Sequence, residues 1–128
     1  MLSQARIHAA LPAQDLDRAR RFYEDVLGLA PLSVAPGGVF YGGGAGSRFL
    51  VFPSSGQASG SHTQLGFSVA DIEAEVKALK ARGVTFESYD MPQFDRETSI
   101  ATFPPIRSAW FRDTEGNLLG IVEGGPVE

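Results

Sequence analysis

Two stretches of this chain carry the same alternation of apolar and polar positions. In residues 6–11, Ile7, Ala9 and Leu11 alternate with Arg6, His8 and Ala10, which predicts a strand with one buried face. Asp15 then stands where a helix N-cap belongs. Leu16, Ala19, Phe22, Tyr23, Val26 and Leu27 recur at helical spacing, and Gly28 ends the run. Three short strands are expected at 29–35, 38–41 and 48–52, separated by Gly-rich turns. After a Ser- and Gly-rich linker at 53–61 the pattern begins again. A strand is expected at 64–69, an N-cap at Asp71, a helix marked by Ile72, Val76 and Leu79, and a stop at Gly83.

The second half continues with an expected strand at 84–88 and a polar segment at 89–99 that reads as a loop, either a cover over a ligand or an ordinary surface excursion. Its last part reads as a hairpin of 108–112 and 118–122 around Asp113 and Gly116, closing on Glu123. His8 precedes Asp15 by seven residues, as Gln64 precedes Asp71, an offset of 56 between the halves. The chain is therefore an α+β protein of two tandem βαβββ modules, at about 4–56 and 60–124 of a single domain over 1–128. In the second module Leu65, Phe67 and Val69 are expected under the helix, with Gln64, Gly66 and Ser68 on the other face; in the hairpin, Glu123 shares a face with Leu119 and Ile121. One apolar and one mixed face suggest a curved mixed sheet around a cavity.

Composition narrows the function classes. The 128 residues are 43% hydrophobic and 20% charged, as in a globular domain, and the net charge of −4 gives no general attraction to nucleic acid or to an anionic membrane. Without cysteine there is no disulfide, thiolate metal site or cysteine nucleophile. No signal peptide and no bilayer-spanning run is read, so a cytoplasmic location is the expectation. The Gly42-to-Gly46 run lacks the Lys-Ser/Thr of a phosphate loop and opens no helix, which makes it a hairpin turn. Arg6, Arg48, Arg107 and Arg112 are the cations available to an anionic substrate, with solvated or interface arginines as the ordinary alternative.

Three motifs in this order, DLDRARRFYEDVLGL, LGFSVADI with ARGV, and WFRDTEGNLLGIVE, resemble the vicinal oxygen chelate superfamily, which holds glyoxalases, bleomycin-resistance proteins and extradiol dioxygenases. The resemblance spans residues 6–123. It implies paired modules forming a half-barrel around a divalent metal (Ni, Co, Mn, Fe or Zn), commonly in a homodimer, with no organic cofactor. Carried over by position, it places metal ligands at His8, Gln64 and Glu123, and Glu123 as the proton-moving group. The fourth ligand place falls near Val51, where no donor stands. Trp110, Arg112 and Phe52 are expected to contact substrate. The function implied is that of a metal-dependent lyase or isomerase chelating vicinal oxygens of a small molecule. The alternatives are a metal-free protein that sequesters a small molecule, or a dioxygenase-like protein.

Overall fold

In each half the first strand lies parallel to the last and forms one edge of its sheet. The computed structural model describes residues 1–124; positions 125–128, the end of the expected domain, lie outside the described residues. In the first module, β1 (Ala9–Ala13) pairs with β4 (Arg48–Pro53), from Ala9 opposite Phe49 to Ala13 opposite Pro53. The ladder thus begins after His8, which precedes the strand that alternation had placed it in. Pro12 sits in β1 at no cost in ladder bonds, because this edge strand has a neighbour on one side only. β2 (Pro31–Ala35) and β3 (Gly38–Gly42) complete the order β1-β4-β3-β2.

The first helix, α1 (Leu16–Arg21), opens on Asp15, whose carboxylate accepts from the Arg18 backbone N–H at 3.0 Å. It widens into a π-helical turn at Phe22–Val26. There Phe22 meets Phe111 of the other module at 6.3 Å between ring centroids, while Tyr23 stacks on Tyr41. Gly28 ends the run at φ 73°, the left-handed region expected of it.

The second module repeats the plan. β5 (Leu65–Ser68) is followed by α2 (Ile72–Ala81), capped by Asp71 through the Ala74 N–H. The sheet order is β5-β9-β8-β7-β6, from β6 (Phe94–Asp95), β7 (Ile100–Phe103), β8 (Ile106–Arg112) and β9 (Leu118–Glu123). One expected strand is absent. Residues 84–88 make only a single bridge, Phe86 to Phe111, and β7 takes the strand's place beside β8. Phe86 spends its side chain in the core, edge-on to Phe111, instead of extending a ladder. The 89–99 segment is tied down as well. Asp95 accepts from the Glu97 and Thr98 N–H groups, Phe94 is buried, and Tyr89 stands between Phe94 and Trp110.

Both modules contribute to one core, in which Leu11, Tyr23, Tyr41 and Val51 join Ile72, Val76, Phe111 and Leu119. Burying aliphatic and aromatic side chains of this size favours folding by about 2 kcal/mol each. No helix among the described residues is long and apolar enough to cross a membrane.

Candidate functional site

The three expected metal ligands do not converge. His8 is exposed, in the segment before β1, with its ring edge-on to Phe40 at 5.0 Å. Gln64 is half-buried at the start of β5; its backbone N–H donates to the Leu118 carbonyl, and its side-chain oxygen accepts from the Leu118 N–H at 3.4 Å. Glu123 lies on the opposite face of that sheet. Registered neighbours share a face, so Leu65 with Leu119 and Phe67 with Ile121 mark the helix side. Glu123, two residues beyond Ile121, belongs to that side.

The Glu123 carboxylate is also occupied. It accepts from the Ile72 N–H at 3.0 Å, at the N-terminus of α2, and lies 3.6 Å from the Arg107 guanidinium. Arg107 in turn donates to Glu73, and that bond raises the guanidinium's pKa. A carboxylate at a helix N-terminus completes the orphan N–H groups and meets the positive end of the dipole, which is a structural task. Among the described residues, no three His, Asp or Glu side chains come together as a metal site. The donor set therefore does not fit a divalent ion held within this chain.

The expected substrate contacts also separate. Trp110 donates to the Thr63 hydroxyl at 3.1 Å and faces the same side as Gly120. Arg112 is paired with Glu87 at 3.2 Å. Phe52 lies in β4, in the other sheet, opposite Pro12.

The space that could hold a molecule lies elsewhere. A cleft of about 710 Å³ separates the β3–β4 tip from the outer edge of β5, lined by residues 42–49, residues 65–69 and Leu29. Its walls are mainly apolar, from Leu29, Phe49, Leu65, Phe67 and Val69. Beneath it an apolar pocket of about 160 Å³ shares Leu29, Phe67 and Val69 and reaches Leu79 and Glu75 of α2. At its other end a notch of about 360 Å³, lined by Arg6, Ile7, Gly46, Ser47 and Arg48, shares residues 46–48.

The cleft exists because the tip has almost no side chains to fill it. Gly43, Gly44 and Ser47 bond to one another, with the Ser47 hydroxyl donating to the Gly44 carbonyl at 2.6 Å. Ala45 sits at φ 55° and Gly46 at φ 74°, a close reversal held within the tip itself. Sequence reading identified this run as a turn. What it missed was that a bare turn leaves room against the edge of β5.

The tip of the other module is built the opposite way. Buried Asp113 accepts from the Tyr23 hydroxyl at 2.6 Å, the Asn117 side-chain amide at 2.7 Å, and the N–H groups of Glu115 and Asn117. The Asn117 amide also donates to the Pro12 carbonyl of β1, while its own oxygen is buried without a partner. Burial, with Asp113 adjacent, pushes the Tyr23 phenol far above its ordinary pKa, so it stays a donor. Burial raises the Glu115 pKa, but bonds from Arg18, the Asp15 N–H and the Thr114 hydroxyl outweigh it and bring the carboxylate down to about 2.

The model of the Glyoxalase/Bleomycin resistance protein/Dioxygenase superfamily matches residues 6–121. Among solved structures, UcmS2 is similar at TM-score 0.74 and 20% identity, over 93% of this chain and 98% of that one. A lactoylglutathione lyase from Agrobacterium tumefaciens is similar at TM-score 0.65 and 28% identity, over 94% of each chain. The fosfomycin resistance protein FosX from Listeria monocytogenes is similar at TM-score 0.70 and 16% identity, over 95% of this chain and 94% of that one. No curated protein matches the chain.

Proposed function

The chain belongs to the glyoxalase/bleomycin resistance protein/dioxygenase superfamily, and we propose that within it this protein binds a small organic molecule without a metal, in the cleft between the β3–β4 tip and β5. The observation that carries this reading is the cleft itself. Its volume lies in the range of ligand sites, its walls are apolar, and it opens on polar groups at both ends. The lyase reading asks Glu123 to ligate a metal and move protons, whereas its carboxylate serves α2 and Arg107.

Chelation separates the two. Binding of a hydrophobic fluorescent probe is expected to be the same with and without a strong chelator, and unchanged by His8→Ala. Stoichiometric metal retained on purification and lost in His8→Ala would overturn the metal-free reading.

A homodimer forms part of the same proposal. β2 is exposed along its whole length, with Leu32 and Val34 each more than half exposed, an apolar edge that a second copy would cover. Sedimentation should give a dimer that Val34→Lys shifts toward monomer; a monomeric wild type contradicts this part alone.

A further inference from the structure

Resting on the cleft as the ligand site, we infer that its occupant is an amphipathic anion, an apolar body joined to a carboxylate, sulfonate or phosphate, with Arg6 and Arg48 holding the charged end. The arginines elsewhere are engaged: Arg18 by Glu115, Arg20 by Glu24, Arg96 by Asp90, Arg107 by Glu73, Arg112 by Glu87, and Arg82 by the Val26 carbonyl. Arg21 has Asp17 and Asp25 around one surface hollow. Arg6 and Arg48 have no ion pair among the described residues, yet they line the same notch. Two guanidiniums brought to one hollow repel each other, and an anion between them reverses the sign of that interaction. Their planar donor forks suit oxyanions.

The cleft has a matching polarity along its length. The notch joins it at residues 46–48, the middle is apolar, and the pocket at the far end is lipped by Glu75. An anion is repelled at the Glu75 end and attracted at the Arg48 end, so the charged group lies at the notch and the apolar body runs toward Leu79. The same charges disfavour a cation at the notch.

Gly44 supplies a way to close the cleft. It lines the tip wall, a Cβ built there meets nothing within 4 Å and the backbone φ is ordinary, so Gly44→Phe adds bulk without straining the turn. Val69→Trp narrows the cleft from its apolar wall on the β5 side. The probes are anilinonaphthalene sulfonate and its uncharged parent phenylnaphthylamine, followed by fluorescence titration on the full chain, with thermal melting to verify the fold of each variant. The sulfonate should bind at least about tenfold tighter than the parent, and Arg48→Gln, alone or with Arg6→Gln, should weaken the sulfonate about tenfold per arginine while leaving the parent unchanged. Salt should weaken the sulfonate only. Both probes should be lost in Gly44→Phe and in Val69→Trp.

Equal binding of the two probes, insensitive to the arginine changes yet lost in the two wall variants, would overturn the anion assignment and leave the cleft as the site. Binding that survives both wall variants would overturn the cleft itself, and the inference with it.

Discussion

The two hairpin tips of this duplicated fold face the same job and do it differently. Each closes the last two strands of its module and approaches the first strand of the other. The 113–117 tip sends Asp113, Glu115 and Asn117 into Tyr23, Arg18, Asp15 and Pro12, which ties it to the other module. The 42–47 tip has no charged side chain and one hydroxyl, turned back on its own backbone, and the 710 Å³ cleft is the result. One copy of the repeat has become a joint between the modules, and the other borders an open cleft. Divergence within a duplication can therefore close one contact between modules and leave the other open without any change of topology.

The largest effect that would break this comparison is on the joint. Asp113→Ala strips an acceptor from the Tyr23 hydroxyl, the Asn117 amide and two backbone N–H groups, all buried or nearly so, and should cost about 3 kcal/mol in urea unfolding. A loss under about 1 kcal/mol would mean that the modules are held by the apolar core alone. Tyr23→Phe removes one donor and should cost less. Glu123→Gln weakens the cap of α2 and its contact with Arg107, and should cost about 0.5–1 kcal/mol with no effect on probe binding. By contrast, Gly44→Phe should change stability by less than about 0.5 kcal/mol while abolishing probe binding.

A further effect is in pH. The Glu115 carboxylate is depressed to about 2 in the folded protein, so its contribution is fully present above its unfolded pKa of about 4.3 and is lost as pH falls from there toward 2. Glu115→Gln should flatten that part of the stability profile and leave the neutral region, apart from a constant offset, parallel to the parent. An unchanged acid limb would mean that Arg18 and Glu115 do not matter to the joint.

Much of the fold was legible in the sequence because it rests on local chemistry. Asp15 and Asp71 cap where their spacing from the following apolar residues says they should, and Gly28 and Gly83 take the positive φ that ends each helix. The face of Glu123 was legible too, since strand alternation puts it with Leu119 and Ile121, on the helix side. The site expectation followed the motif over the alternation, and alternation agrees with the coordinates. What was not legible depends on contacts far apart in the chain. Residues 84–88 look like a strand, but the space beside β8 goes to β7. The cleft has no signature of its own: it is defined by what the glycine tip lacks beside a strand that begins 18 residues after Ser47, and by which arginines remain without an acid. Arg6 and Arg48 were two of four candidate cations, and only the ion pairs of Arg107 and Arg112 single them out.

The most direct test of the account is amide chemical-shift mapping of the isotopically labelled full chain titrated with anilinonaphthalene sulfonate. The perturbed amides should cluster at residues 44–48 and 65–69 and at Leu29, the two walls of the cleft. Shifts confined to Ser108, Trp110 and Gly120, or to His8 and Phe40, with the cleft silent, would contradict it.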